Sequence, residues 1–192
     1  MNDAIQKRDV GGMRRIVVIG TSCSGKTTLA RELSRRLNLP YVELDALHWG
    51  PNWTPREGFA ERVEQAIAND AWVIDGNYSA VRRKIWAAAD TIVWLDYPLR
   101  IVLSRGLRRS IVRAWNQTEL WHGNRESFRL TFLDKESILL WLLKSWRQHR
   151  RDYPKLLRSK EFAAKRIIRM RHPQETAKWI DQLPFCPIAD AI

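Results

Sequence analysis

A change of periodicity near the amino end constrains this chain more than any other feature. Ile16, Val17, Val18 and Ile19 form a β-branched run that stops at Gly20. From Lys26 onward Leu29, Leu33 and Leu37 recur at helical spacing until Asn38 and Pro40. A buried strand running into an amphipathic helix is predicted. The junction, Gly20-Thr21-Ser22-Cys23-Ser24-Gly25-Lys26-Thr27, fits G-x-x-x-x-G-K-[ST] without substitution. Its two glycines let the backbone turn tightly enough to aim successive N–H groups inward, and the helix that follows adds the positive end of its dipole. Phosphate oxygens are what such a cradle holds. An accidental match on a surface turn is the competing reading, and the strand before and helix after argue against it.

Gly20, Ser22, Cys23, Ser24, Gly25, Lys26, Thr27 and Thr28 are therefore candidate nucleotide-binding residues, with ATP and Mg²⁺ as the expected cofactors. Lys26 is expected to reach the β and γ phosphates, and Thr27 to offer its hydroxyl to Mg²⁺. Cys23 lies where helix amides lower a thiol pKa, but a bystander at a variable position is the simpler reading.

Past this loop, strand and helix patterns keep alternating. Strands are expected at 41–44, 71–74, 91–95 and 165–170, and helices at 57–69, 80–88, from Pro98 onward, at 135–151 and at 173–183. Residues 115–128 read as polar and irregular. Such alternation predicts right-handed crossovers that build a parallel sheet covered on both faces, an α/β class.

Composition narrows the function. The 192 residues carry a net charge of +12, and residues 97–172 hold nineteen Lys and Arg against six Asp and Glu, a local surplus of +13. That field attracts polyanions, whether phosphorylated small molecules or a nucleic acid backbone, and charge alone does not choose between them. The longest strongly apolar run, 138–143, is far short of the roughly 20 residues that span a bilayer, so no membrane role is expected. Residues 1–12 lack the apolar core of a secretory signal, and two cysteines make neither a disulfide scaffold nor a four-ligand zinc site. A cytoplasmic location is the expectation.

A second carboxylate is needed near the metal. Asp75 follows Trp72-Val73-Ile74 and Asp96 follows Ile92-Val93-Trp94-Leu95, so each ends an apolar strand as the Mg²⁺-positioning Asp of such proteins does. Pattern alone does not rank them. Asp75 also suits a simple Asp-Gly turn, and Asp96 a cap for the helix near Pro98.

Taken in order, the phosphate loop, Leu44-Asp45-Ala46-Leu47-His48-Trp49, Pro51-Asn52-Trp53, Asp75-Gly76-Asn77-Tyr78-Ser79, Val93-Trp94-Leu95-Asp96-Tyr97-Pro98 and Arg171-His172-Pro173 resemble the small bacterial adenylate-kinase-related P-loop proteins labelled DNA topology modulation proteins. The resemblance spans about residues 14–183, and nucleoside monophosphate, shikimate and gluconate kinases are similar in layout. It implies a P-loop NTPase fold of three layers, α/β/α, with five parallel strands in the order 2-3-1-4-5. One domain over 14–192 follows a flexible tail at 1–13, with an acceptor-binding region at about 45–70 and a basic helical lid at about 115–135.

The same resemblance implies site roles. Asp75 serves the Mg²⁺ shell through water, leaving Asp96 as a cap, and Asp45 is the general base or acceptor anchor. Arg105 and Arg109, four apart on one helix face, stabilise the transferring phosphoryl charge. A solvated basic face is the alternative for that pair. Arg171 lies near the adenine base, while a helix-start signal explains it equally well. Arg125 and Arg129 are further lid candidates, and His48, Trp49 and Trp53 candidate walls of an acceptor pocket.

Two departures matter. The Asp75 segment lacks the Gly-Phe-Pro-Arg by which adenylate kinases grip a monophosphate, with Arg82 and Arg83 at a longer spacing, and the lid has no cysteine set. The activity implied is an ATP- and Mg²⁺-dependent transfer of the γ-phosphoryl to a small-molecule acceptor, with adenylate kinase activity itself weak or missing. The rival is a nucleotide-regulated, DNA-associated protein whose nucleic acid contact is the basic 97–172 region. Oligomeric state is not legible.

Overall fold

A computed structural model describes residues 12–116, 121–123 and 138–185. Five strands, β1 (Arg15–Gly20), β2 (Tyr41–Glu43), β3 (Trp72–Asp75), β4 (Thr91–Leu95) and β5 (Arg166–Met170), form one sheet in the order β2-β3-β1-β4-β5. Every pairing is parallel. The described helices are α1 (Lys26–Leu37), α2 (Leu44–His48), α3 (Phe59–Ile67), α4 (Ser79–Ala88), α5 (Leu99–Asn116), α6 (Ile138–Leu157) and α7 (Pro173–Asp181).

The central strand shows why the sheet is covered twice. Successive side chains of a strand point to opposite faces, so Ile16 and Val18 join one core with Leu29, Leu33, Val93 and Trp179. Val17 and Ile19 join the other with Leu44, Val63, Ile74, Ile85 and Trp94. All four β1 side chains are buried, as the unbroken β-branched run requires. Helix α6 supplies Leu142 to the first core and Tyr153 and Leu157 to the second, which ties the two layers together.

Three expected elements need correction. The strand at 41–44 stops at Glu43, because Leu44 opens α2 and sinks into the core. Asp45 therefore stands in the first turn of a short helix, not in a loop beyond a strand. Trp115 and Asn116, expected to be irregular, form the end of α5. Helix α6, expected to end at residue 151, continues through Pro154 to Leu157. Proline removes one main-chain donor from a helix interior, but the burial of Tyr153 and Leu157 on either side holds the last turn in place. Of the expected lid, Arg125 and Arg129 lie outside the described residues, as does Cys186.

Candidate functional site

The phosphate loop leaves β1 where the sheet is tightest. A Cβ at Gly20 would stand 2.8 Å from the Leu95 carbonyl, and its φ of +150° is one that side chains rarely adopt, so glycine is required there. The turn that follows is closed by Ser24 N–H donating to the Thr21 carbonyl at 3.2 Å. Cys23 sits in the left-handed region at φ 63°, an uncommon setting for a residue with a side chain. Lys26 begins α1 and folds back to donate to the Thr21 carbonyl at 3.1 Å. Burial pulls its pKa down, against the nearby carboxylates of Asp75 and Asp45, which hold the charge on.

Parallel pairing sets Asp75, the last residue of β3, opposite Val18 and so just beneath the loop. Thr27 Oγ1 donates to Asp75 Oδ2 at 2.6 Å and Tyr41 Oη donates to Asp75 Oδ1 at 3.0 Å. Burial raises the Asp75 pKa, and Thr27, Lys26 and Tyr41 oppose that rise. A hydroxyl and a carboxylate in contact are the hard oxygen donors that suit Mg²⁺, and one direct ligand with a carboxylate acting through water leaves room for phosphate oxygens. The residues fit the ion.

Asp96 is differently engaged. Its Oδ2 accepts from Arg169 Nε and Nη2 at 3.0 and 2.5 Å, and Arg150 Nε lies 3.4 Å from Oδ1. The expected helix cap is thus replaced by an ion-pair cluster joining β4, β5 and α6, because two guanidiniums reach the buried carboxylate.

The turn after β3 links both sides of the site. The Asn77 side-chain amide donates to the Gly20 carbonyl and accepts from Gly20 N–H at 3.4 Å, clamping the start of the phosphate loop. Its neighbour Tyr78 donates to Asp45 Oδ1 at 2.7 Å. Around Asp45, His48 packs against Trp49, Phe59 and Tyr78 with ring centroids 4.6, 4.8 and 4.5 Å away, and Trp49 meets Trp53 at 5.7 Å. Burial lowers the His48 pKa, with Asp45 opposing. Arg62 donates to the carbonyls of Leu47 and Glu57 and staples this segment.

From α5, Arg105 Nη1 donates to the Ser24 carbonyl at 2.7 Å, and its guanidinium lies 5.3 Å from the Tyr97 ring centroid. Arg109, one turn on, is close enough to Lys26 to disfavour its charge. Arg105 also borders a cavity of about 790 Å³ between α1 and α7, lined by Thr27, Thr28, Tyr97, Pro173 and Thr176. The Arg171 side chain is exposed, and its N–H donates to Glu175 Oε2 at 2.7 Å, so at this corner Pro173 and Thr176 face the cavity.

The geometry can be set beside known proteins. A family model described as an AAA domain matches residues 15–103, and no curated protein matches the chain. Similar solved structures include a shikimate kinase from Acinetobacter baumannii in complex with shikimate, 14% identical over 89% of this chain and 90% of that one, with a TM-score of 0.55. A shikimate kinase from Bacteroides thetaiotaomicron is 16% identical over 90% and 96%, with a TM-score of 0.54. One from Aquifex aeolicus is 18% identical over 88% and 92%, with a TM-score of 0.50. The fold is that of P-loop kinases. At these identities the likeness speaks for the fold alone.

Sequence reading missed Tyr41 and the clamp made by Asn77. Both sit beside features already singled out, Tyr41 opening β2 and Asn77 two residues past Asp75, and only strand pairing reveals their partners.

Proposed function

We propose that the protein is an ATP- and Mg²⁺-dependent phosphotransferase that moves the γ-phosphoryl group to a hydroxyl of a small acceptor bound beside Asp45. The observation that carries this is one turn of chain with two faces: Asp75 meets Thr27 of the phosphate loop, while three residues later Tyr78 meets Asp45. Donor and acceptor machinery are thereby set at a fixed separation, as a positioning mechanism requires.

Main-chain N–H groups from Gly20 to Thr28, with Lys26, hold the triphosphate. Thr27 and, through water, Asp75 hold Mg²⁺, which when bound neutralises charge on the β and γ phosphates. Tyr78 occupies one oxygen of Asp45 and leaves the other to accept the proton of the acceptor hydroxyl. The acceptor's hydroxyl oxygen, giving its proton to Asp45, attacks the γ-phosphorus as the bond to the β–γ bridging oxygen breaks, and ADP leaves. Arg105 and Arg109, beside the loop and Lys26, stabilise the charge on the transferring group. The cavity between α1 and α7 takes the nucleoside, with the loop at Arg171 closing its far side. The shared fold with shikimate kinases supports a small hydroxyl-bearing acceptor over a macromolecular one. The nucleotide-regulated, DNA-associated alternative rests on the charge of residues 97–172 and on the label of the proteins the sequence resembles, and its signature is a steep loss of duplex affinity with salt.

The test is a thermal-shift and turnover screen of hydroxyl compounds with Mg²⁺ and ATP or a non-hydrolysable analogue. Lys26→Ala is expected to keep its fold and lose ADP release. Absence of any Mg²⁺-assisted affinity for nucleoside triphosphates, or unchanged turnover in that variant, overturns the reading.

A further inference from the structure

Two carboxylates end neighbouring strands beneath the phosphate loop. Parallel register sets Glu43 of β2 opposite Asp75 of β3, and Tyr41 opposite Val73. Side chains alternate between the faces of a sheet, so residues paired in register share one face, and Glu43 and Asp75 stand side by side with like charge. Each is given a different kind of partner. Glu43 Oε2 is paired with Arg31 Nη2 of α1 at 3.2 Å. The buried Asp75 accepts from two hydroxyls, Thr27 Oγ1 at 2.6 Å on Oδ2 and Tyr41 Oη at 3.0 Å on Oδ1. Tyr41 reaches two residues past its own pairing partner to do so. Its ring is fixed meanwhile, with the Arg31 guanidinium 5.6 Å from the centroid and the core of Val18, Val73 and Val93 against it.

Both hydroxyl protons point at one carboxylate, and this has two consequences. Thr27 has given its proton to Asp75, so the lone pairs of its oxygen remain for an ion. Each oxygen of Asp75 has also accepted a hydrogen bond already. An ion that chelates both oxygens therefore competes with both hydroxyls, whereas a water molecule needs a single lone pair. Mg²⁺ dehydrates reluctantly and keeps several waters, while Ca²⁺ gathers more oxygens and accepts bidentate carboxylates. Two hydroxyls on Asp75 thus suit the smaller ion.

We infer that Tyr41 is a positioning residue that sets the ion preference of the site: by holding Asp75 Oδ1 it keeps the carboxylate beside Thr27 and acting through water, which favours Mg²⁺ over Ca²⁺ on the bound nucleotide. Thr27 alone does not achieve this, because it engages only Oδ2 and leaves the other oxygen free to swing onto an ion. Partners that orient a ligating group commonly matter about tenfold to a hundredfold in metal affinity. This inference rests on the nucleotide- and Mg²⁺-binding half of the phosphotransferase reading.

The test measures affinity for a non-hydrolysable ATP analogue by calorimetry in three solutions: EDTA, excess Mg²⁺ and excess Ca²⁺. Wild type is expected to bind the Mg²⁺ complex more tightly than the Ca²⁺ complex. Tyr41→Phe, which keeps the ring beneath Arg31, should weaken binding of the Mg²⁺ complex about tenfold to a hundredfold, weaken that of the Ca²⁺ complex less, and leave affinity in EDTA unchanged. A tyrosine that serves packing alone would lose affinity equally in all three solutions, and that result overturns the inference. So does a preference for Mg²⁺ that Tyr41→Phe leaves unchanged or widens. A wild type without any preference for Mg²⁺ overturns it too, in a measurement that needs no variant. In each of these cases wild type still binds nucleotide and the phosphotransferase stands. No nucleotide binding in any solution overturns both.

Discussion

The guanidinium of Arg105 donates to the main-chain carbonyl of Ser24 at 2.7 Å, across 81 positions of sequence. The contact holds α5 against the turn from Gly20 to Thr27, and the Tyr97 ring lies under the same guanidinium. An arginine held there beforehand needs no reorganisation when charge develops on the transferring group.

Arg105→Ala is accordingly expected to lower turnover about 10²-fold to 10³-fold, the range seen when one preorganised donor is removed. Arg105→Lys should rescue little, because a point charge does not replace a planar fork that stacks and donates together. Turnover measured with an acceptor returned by the screen checks this, with nucleotide affinity as a second reading. Full activity in Arg105→Lys would show that only charge matters at this position.

Asp75 offers a separation of stability from function. Burial raises its pKa, so the folded protein holds that proton more tightly than the unfolded chain does. Stability from this group is greatest at low pH, declines as pH rises through the folded pKa, and is a standing cost at neutral pH. Asp75→Asn, which keeps an acceptor oxygen for one of the two hydroxyls of Thr27 and Tyr41 and offers an amide N–H to the oxygen of the other, should raise the Tm of the nucleotide-free protein at pH 7 while removing the benefit of Mg²⁺ to nucleotide affinity. A Tm that falls would mean that the paired hydroxyls outweigh the burial cost.

Much of this arrangement was legible beforehand, and the reasons are local. Residues 16–19 and Leu29, Leu33 and Leu37 declare strand and helix by period alone, and the glycines and Lys26 between them declare the loop. The parallel sense follows from the alternation, the order in the sheet was implied by the resemblance to adenylate-kinase-related proteins, and the structure has both. What period could not convey is which side chains meet. Asp75 and Asp96 end similar strands, and only the pairing of β3 with β1 puts the former under Thr27, while Arg169 and Arg150 claim the latter. Likewise Arg82 and His149 are distant in sequence and carry no motif, and they come together because α6 closes over the end of α4.

His149 gives a pH signature. Burial first, then Lys26 and Arg82, pull its pKa to about 4 from the ordinary 6.5. The folded state therefore keeps the imidazole neutral while the unfolded chain protonates, so stability is full above the unfolded value and is lost as pH falls from 6.5 toward 4. The shift corresponds to about 3 kcal/mol at most. Chemical unfolding of wild type and His149→Gln between pH 7 and 4 should show a flatter decline in the variant. Parallel curves would remove His149 as a contributor.

Gly76 lies between Asp75, which meets Thr27, and Tyr78, which meets Asp45. Its φ is +141°, and a Cβ added there would stand 2.7 Å from Leu44 Cβ, the residue that opens α2 and precedes Asp45. Any side chain must push α2 outward, since Leu44 is fully enclosed in the core and has nowhere to yield. Gly76→Ala should therefore cost about 1–3 kcal/mol, the usual range for overpacking. It should also draw Asp45 away from Tyr78, weakening acceptor affinity more than nucleotide affinity, because Leu44 directly precedes Asp45 in α2. Urea unfolding reads the first effect, and calorimetry with nucleotide and then acceptor reads the second. Equal losses for both ligands would place the damage at Asp75 instead, on the metal side of the turn.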